Sequence, residues 1–298
     1  MTARARAAPV LALVLNAFCW GVSWWPFRWL DARGLHPLWA TAVSYLIAVL
    51  CISAWRPASW VQLRRAPTLW ILVLASGTTN AAFNWAVTLG DVVRVVLLFY
   101  LMPLWAVLLA WLLLGERLSA LAAARVLLAL AGAAIVLWPD GGGAWPWPAS
   151  LGEMLGLLGG FAFALNNVML RREAHQPEMA RALAMFVGGA LVAATLAWAL
   201  GARGLVATPA TPAWPWLGGV VAVGLLFLAS NLALQYGAAR LPANVTAVVM
   251  VSEVLFASVS ALWLGAGHLS APLLIGGALI VGAALLVVPQ RRRRGAAR

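Results

Sequence analysis

The sequence contains no lysine, and all 20 of its basic residues are arginine. Among its 298 residues there are also only eight acidic residues, two cysteines and three histidines. Without lysine the chain has neither a retinal Schiff base nor the Gly-x-x-x-x-Gly-Lys loop that binds nucleotide phosphates. The His-Glu-x-x-His and Gly-x-Ser-x-Gly motifs are absent as well. These absences argue against a photoreceptor, an ATP-driven pump and a membrane-embedded enzyme, and we expect no cofactor or metal.

Hydrophobic residues make up 64% of the chain and charged residues only 9%. Apolar runs of about 20 residues recur along its length, and this is the number that a helix needs to cross a hydrocarbon core ~30 Å thick. The sequence therefore predicts an all-α integral membrane protein with ten transmembrane helices. The predicted spans are 9–29, 36–55, 67–89, 92–114, 118–138, 149–171, 178–200, 214–238, 242–264 and 269–288.

The net charge of +12 would suggest nucleic acid as a partner if the protein were soluble. Here the arginines lie between the apolar runs. If the N-terminus is cytoplasmic, sixteen arginines fall on the cytoplasmic side, and only Arg28, Arg33, Arg94 and Arg203 fall on the other. Cytoplasmic loops of membrane proteins carry an excess of Lys and Arg. We therefore expect both termini to be cytoplasmic and the partner to be the lipid bilayer, with no nucleic acid.

The chain divides near its middle into two similar halves. Residues 1–139 are predicted as a first five-helix repeat, 140–148 as a connecting loop, 149–289 as a second five-helix repeat and 290–298 as a basic cytoplasmic tail. The segment Leu118-Ser119-Ala120 is repeated as Leu269-Ser270-Ala271, and Gly132-Ala133-Ala134 as Gly282-Ala283-Ala284. Because five is odd, the second half enters the membrane in the opposite sense. Inverted repeats of this kind are typical of secondary transporters.

Two motifs resemble the drug/metabolite transporter superfamily, whose EamA-type members are ten-helix exporters. The first is Tyr100-Leu101-Met102-Pro103, followed by an apolar run and by Gly115 to Ser119. The second is a degenerate copy, Ser252-Glu253-Val254 followed by Gly265 to Ser270. In that copy valine replaces the usual proline and Gly-Ala replaces Gly-Glu. The Tyr-Leu-x-Pro element is most similar to the aromatic amino acid exporter branch.

This resemblance implies a basket of helices 1–4 and 6–9 around a central cavity, in a multi-pass protein of the bacterial inner membrane. It implies export of small amphipathic metabolites without ATP, with hydrophobic, aromatic and other neutral amino acids as substrates. A monomer or weak dimer is expected. The alternative is a proton-coupled exporter of cationic drugs, for which Glu253, the acid predicted deep within a span, would supply the negative charge.

Polar and aromatic side chains predicted at mid-membrane are the candidates for the cavity wall, because such side chains usually face the interior of a helix bundle. Interhelical hydrogen bonding is the other explanation for each of them. Amides suit a zwitterionic substrate because each offers a donor and an acceptor without a fixed charge. The predicted substrate-binding residues are Asn16, Trp20, Thr79, Asn80, Phe83, Asn84, Tyr100, Met102, Phe163, Asn166, Asn167, Ser230, Asn231, Gln235 and Glu253.

Pro103 is the predicted gating residue. Proline has no backbone N–H and removes the helical hydrogen bond to the carbonyl of Phe99. A kink at this point would expose backbone to the cavity and act as a hinge, or it would be a static bend. By the resemblance, Tyr100 and Met102 beside it face the substrate.

Overall fold

A computed structural model describes residues 3–115, 120–138, 147–209, 211, 214–238, 240 and 243–285. These residues form thirteen α-helices, and the described part of the chain contains no β-strand. The helices are α1 (Ala3–Val22), α2 (Trp24–Asp31), α3 (Pro37–Trp55), α4 (Ala58–Arg65), α5 (Leu69–Ala86), α6 (Val92–Phe99), α7 (Met102–Leu114), α8 (Ala120–Val136), α9 (Leu151–Arg172), α10 (Glu178–Gly201), α11 (Trp214–Ala238), α12 (Ala243–Trp263) and α13 (Ala271–Leu285).

The all-helical prediction is confirmed for the described residues. Six helical segments are long and apolar enough to cross a bilayer, namely Ala7–Asp31, Pro37–Trp55, Val92–Leu114, Leu151–Arg172, Glu178–Gly201 and Trp214–Leu234. Shorter apolar helices cover Val126–Val136, Ser252–Trp263 and Ala271–Ala283. The count of ten spans and the division into two repeats remain predictions. Residues 140–146 of the predicted loop and all of the predicted basic tail, 290–298, lie outside the described residues.

Local sequence explains where several helices begin and end. His36 accepts a hydrogen bond from the N–H of Leu38 at the start of α3, and Asp91 accepts one from the N–H of Arg94 at the start of α6. Such caps satisfy backbone donors that have no partner within the helix. Gly115 follows α7 with φ 66°, and Gly265 follows the last turn after α12 with φ 68°. Glycine adopts this left-handed conformation without steric cost.

Helix α4 lies between the predicted spans 36–55 and 67–89 and was not predicted from the sequence. The helix is only eight residues long and carries Arg64 and Arg65 in its last turn. Leu63 is buried, and the indole N–H of Trp60 donates to the hydroxyl of Ser53 on α3 over 2.9 Å. A short basic helix held to its neighbour in this way has too few apolar residues to stand out in a search for membrane spans.

The predicted fourth span is interrupted. Helix α6 ends at Phe99, Tyr100 and Leu101 form a turn, and α7 begins at Met102 with proline in its first turn. At the break the N–H of Leu101 donates to the carbonyl of Leu98, which is three residues earlier instead of the four of an α-helix. Proline is tolerated in a first helical turn, where its missing N–H is not needed.

Helix packing follows a pattern that survives exchange of the two halves of the chain. By their order in the predicted spans, α1, α3 and α5 of the first half correspond to α9, α10 and α11 of the second. Helix α5 packs on α9 and α10, and its counterpart α11 packs on α1 and α3. Helix α1 packs on α12, and α9 packs on α6 and α7. Helices α3 and α10 pack on each other, as do α8 and α13. Most helix pairs that bridge the halves thus have a counterpart pair.

Glycines allow the closest of these contacts. A Cβ atom on Gly188 of α10 would lie 2.0 Å from the carbonyl oxygen of Val73, and one on Gly77 of α5 would lie 2.4 Å from the oxygen of Gly188. In α8 and α13, a Cβ on either Gly132 or Gly276 would lie 2.6 Å from the carbonyl oxygen of the other. Small residues at such crossings let helix backbones pack closely in an apolar medium.

We predict that Gly188→Ala destabilises the protein, because the added methyl group collides with the backbone of α5. Overpacking of this kind costs about 1–3 kcal/mol. Thermal unfolding in detergent checks this prediction against Gly218→Ala, since a Cβ on Gly218 would meet no atom within 4 Å. The close-packing account is wrong if both variants unfold at the temperature of the unmodified protein.

Candidate functional site

A cavity lies at the centre of the helix bundle, between the two halves of the chain. It contains about 610 Å³ of space not filled by protein atoms, part of which is open to solvent. Seven helices contribute to its wall, namely α1, α5 and α6 from the first half and α9, α10, α11 and α12 from the second. The lining residues are Asn16, Trp20, Ser76, Thr79, Asn80, Phe83, Phe99, Phe163, Asn166, Met185, Asn231, Leu234, Met250 and Glu253.

Nine of the fifteen predicted substrate-binding residues line this cavity. They are Asn16, Trp20, Thr79, Asn80, Phe83, Phe163, Asn166, Asn231 and Glu253. They come from five different helices, so the fold brings together residues that are up to 237 positions apart in the sequence. The side chains of Gln235 and of the predicted gating residue Pro103 lie outside the described part of the structure.

Two of the remaining predicted residues hold cavity residues in place. The side-chain amide of Asn16 donates to the carbonyl oxygen of Ser230 over 2.9 Å and to its hydroxyl over 2.7 Å. The hydroxyl of Tyr100 donates to Oε2 of Glu253 over 3.1 Å, and it also lies 3.3 Å from the carbonyl oxygen of Met250. Ser230 and Tyr100 are therefore positioned behind the wall, where they orient Asn16 and Glu253.

Three other predicted residues lie away from the cavity lining. Asn84 is fully buried and donates to the hydroxyl of Thr41, so it joins α5 to α3. Met102 is half-buried and packs among apolar side chains. Asn167 is exposed. Asn80 and Asn84 are one helical turn apart on α5, yet of the two only Asn80 lines the cavity.

Five of the lining residues were not predicted from the sequence, namely Ser76, Phe99, Met185, Leu234 and Met250. Four of them are apolar residues in apolar helices, where nothing in the sequence separates an inward from an outward position. Ser76 had a detectable signal, because it precedes Asn80 by one helical turn and contacts it. The amide of Asn80 donates to the carbonyl oxygen of Ser76 over 2.7 Å, while the hydroxyl of Tyr45 donates to the amide oxygen of Asn80.

Aromatic rings form one side of the cavity. Trp20 stacks on Phe227, with 4.7 Å between ring centroids and 14° between the ring planes. Phe83 and Phe163 both pack against Phe99, at centroid distances of 4.7 Å and 5.3 Å. Packed rings of this kind present a rigid apolar surface to a ligand.

Polar contacts join the two halves at the end of the bundle where α6 and α9 begin. Nε of Arg94 lies 2.6 Å from Oε1 of Glu153, an ion pair of close approach without the alignment of a hydrogen bond. Oδ2 of Asp91 accepts a hydrogen bond from the N–H of His268 over 2.9 Å. The N–H of Val92 donates to the carbonyl oxygen of Ala266 over 3.1 Å. Together these contacts tie the start of α6 to the second half.

Glu153 has a second contact besides Arg94. Its Oε2 atom accepts a hydrogen bond from the N–H of Ala149 over 2.7 Å, while its own N–H donates to the hydroxyl of Ser150. This reciprocal arrangement satisfies free backbone donors at the start of α9. The pairing of Glu153 with Arg94 was not predicted from the sequence.

The cavity has no candidate metal site, since no three His, Cys, Asp or Glu residues cluster in the described part of the chain. Asn16 and Asn166 are both buried and line the cavity, and the amide oxygen of each has no hydrogen-bond partner among the described residues. The polar and aromatic groups that line the site are thus amide, hydroxyl and carboxyl groups beside indole and phenyl rings.

We predict that Tyr100→Phe destabilises the protein, because it removes the hydroxyl that donates to the buried carboxyl of Glu253. Leaving a buried polar group without its hydrogen-bond partner costs about 1–3 kcal/mol. Tyr236→Phe is the matched control, since it makes the same chemical change on a side chain that is 41% exposed. Thermal unfolding of both variants in detergent is the measurement, and we expect Tyr100→Phe to unfold at the lower temperature. Equal unfolding temperatures would contradict the positioning role of Tyr100.

Three comparisons with known proteins bear on this geometry. Residues 7–138 match the EamA-like transporter family. A protein of Pseudomonas aeruginosa described as an uncharacterized transporter is 35% identical over 109 residues, which are 35% of this chain and 36% of that protein. The matched segment thus spans only about a third of the relative's length.

The third comparison concerns the fold. A solved structure described only as a crystal structure of a protein superposes with a TM-score of 0.58 at 22% sequence identity, and the match covers 94% of this chain and 96% of the other. This likeness extends the shared fold beyond the region of the family match. Together the comparisons show a sequence match to the EamA-like transporter family over residues 7–138 and a fold shared with the solved structure over nearly the whole chain.

Proposed function

We propose that this chain is a secondary transporter that exports small neutral amphipathic metabolites, above all hydrophobic and aromatic amino acids, by alternating access. The observation that carries the proposal is the central cavity, to which both halves contribute amide and aromatic side chains. Ligand sites are typically concave, mostly apolar and equipped with a few well-placed polar groups. The described cavity has this composition, with asparagines beside Trp20, Phe83 and Phe163.

The proposed architecture is ten spans in two inverted five-helix repeats. The exchangeable packing of the helices supports it, because swapping the halves turns most bridging contacts into other observed contacts. The antiparallel course of α8 and α13 supports it as well. Leu128 lies beside Gly282, and Gly132, later in α8, lies beside Gly276, earlier in α13. The two helices therefore run antiparallel. Inverted repeats of this kind let one chain adopt inward- and outward-open states.

The polar contacts at one end of the bundle suggest which end is closed in the described conformation. Arg94 precedes the cavity residue Phe99 by five positions on the same helix, which places it about 7.5 Å farther along the axis. The Arg94–Glu153 ion pair thus lies between the cavity and the start of α6. By the predicted topology this end faces away from the cytoplasm. We infer that these contacts separate when the transporter opens outward.

The distribution of arginines bears on the membrane and the orientation of the protein. We place the protein in the bacterial inner membrane with both termini in the cytoplasm, because most arginines then fall on the cytoplasmic side. We propose a monomer or weak dimer. The substrate enters from the cytoplasm and leaves at the end where α6 and α9 begin.

A proton-coupled exporter of cationic drugs is the second candidate. The observation in its favour is that Glu253 lines the cavity, so that a carboxyl group is available to a cation or a proton. Acidic residues within membrane spans commonly mark ion and substrate pathways. In this alternative Glu253 is the centre of the mechanism, whereas an amino acid facilitator has no need of a proton.

Counterflow in proteoliposomes tests the proposed function. Vesicles preloaded with unlabelled amino acids receive labelled threonine, methionine or phenylalanine outside, with and without a pH gradient. We expect the labelled amino acid to accumulate inside the vesicles. Unlabelled hydrophobic amino acids should reduce this accumulation by competition, and a pH gradient should not change it. If no amino acid accumulates and a lipophilic cation moves with protons instead, the second candidate replaces the first.

Cross-linking tests the alternating-access part. In a background without Cys19 and Cys51, cysteines at positions 94 and 153 are joined by a short bismaleimide. We expect counterflow to fall to background, because the two halves can no longer separate at this end. Cysteines at Ser53 and Trp60, which contact each other within the first half, form the matched control and should leave counterflow intact. Undiminished counterflow in fully cross-linked 94/153 protein would overturn the inferred gate.

A further inference from the structure

Two buried oxygen atoms of residues that line the cavity have no hydrogen-bond partner within the described part of the chain. The amide nitrogen of Asn16 is engaged with Ser230, which identifies the unpaired atom of this residue as its oxygen. The side chain of Asn166, on the opposite half, likewise has a buried oxygen without a partner. Asn16 is 0% exposed and Asn166 2% exposed, so bulk water does not satisfy either oxygen.

Glu253 adds a carboxyl group to these two amide oxygens. Its Oε2 atom is oriented by the hydroxyl of Tyr100, and no ion pair to Glu253 is found within the described part of the chain. The residue is 8% exposed and lines the same cavity as Asn16 and Asn166. Among the described residues, this carboxyl group has no positively charged partner.

The cavity offers no basic counterpart. None of its fourteen described lining residues is Arg, Lys or His. A substrate carboxylate would therefore meet no positive side chain there, whereas a substrate ammonium group would meet one carboxyl group and two unpaired amide oxygens. An ammonium group has three N–H donors and no acceptor, which matches three acceptors.

We propose that Glu253, Asn16 and Asn166 form a subsite for a primary ammonium group, and that the cavity recognises its substrate through the amine and not through the carboxylate. The aromatic rings of Trp20, Phe83 and Phe163 then take the apolar part of the substrate. This inference rests on the proposed function and narrows it. Amines that lack a carboxylate become ligands of the same site, and carboxylates that lack an amine do not.

Three compounds with the same phenyl ring test recognition of the amine and of the carboxylate separately. They are phenylalanine, which has both groups, phenethylamine, which has only the amine, and 3-phenylpropionate, which has only the carboxylate. Their competition against labelled phenylalanine is measured in counterflow, and their direct binding to purified protein is measured by calorimetry. We expect phenethylamine to compete within about threefold of phenylalanine and 3-phenylpropionate to be weaker by about tenfold or more, as for loss of a charge-assisted hydrogen bond. This series uses the unmodified protein, so it does not depend on the folding of a variant.

Glu253→Gln removes the charge and keeps the shape of the side chain. We expect it to weaken binding of both amines by about tenfold or more while leaving 3-phenylpropionate unchanged. Glu178→Gln makes the same change at an exposed position at the start of α10 and should alter no affinity. Equal affinities of the Glu253→Gln variant and the unmodified protein for phenethylamine would overturn the subsite.

The outcomes distinguish the subsite from the proposed function. If phenylalanine and 3-phenylpropionate compete equally and phenethylamine does not, the subsite is wrong and amino acid transport stands. If phenethylamine binds and is weakened by Glu253→Gln while no amino acid binds or exchanges, the subsite stands and amino acid export is wrong. If none of the three compounds binds, both proposals are overturned.

Discussion

Close backbone contact between helices is the constraint on which the cavity depends. In an apolar medium no hydrophobic force draws helices together, so they associate through packing and interhelical hydrogen bonds. Gly77 and Gly188 bring α5 and α10 to a separation that leaves no room for a side chain between them. On the other side of α5, a Cβ on Gly160 of α9 would lie 2.4 Å from the carbonyl oxygen of Phe99. These contacts fix the positions of the helices that carry Asn80, Phe99 and Phe163 into the cavity wall.

Polar residues in this bundle divide into those that join helices and those that face the cavity, and the division depends on neighbours that are remote in sequence. Asn84 and Asn80 occupy the same helix one turn apart, but Thr41 lies opposite the first and Tyr45 opposite the second. Asn80 is thus both a bridge and a lining residue, while Asn84 is a bridge alone. A polar residue within a membrane helix indicates a buried environment, and only its partners show what it does there.

The sequence predicted the course of the helices well because hydrophobic runs and arginine-rich joints are local signals. It predicted most of the polar cavity residues for a related reason, since asparagine and glutamate are costly in an apolar interior unless they have a use. Met185 and Leu234 escaped prediction because an apolar side chain carries no sign of which way it faces. Tyr100 and Ser230 were also predicted to bind substrate; they hydrogen-bond to Glu253 and Asn16 and are not among the described residues that line the cavity.

The two contacts of Glu153 have a consequence for the cost of conformational change. One oxygen of its carboxylate is bonded to the backbone N–H of Ala149, and the other lies beside Arg94. If α6 moves away from α9, the carboxylate keeps its backbone partner and remains in the first turn of a helix, where the helix dipole favours a negative charge. The side chain of Arg94 is already 32% exposed and can take up water as it leaves. Neither charge is stranded by the separation, so this ion pair can break and re-form repeatedly without the large desolvation penalty of a fully buried pair.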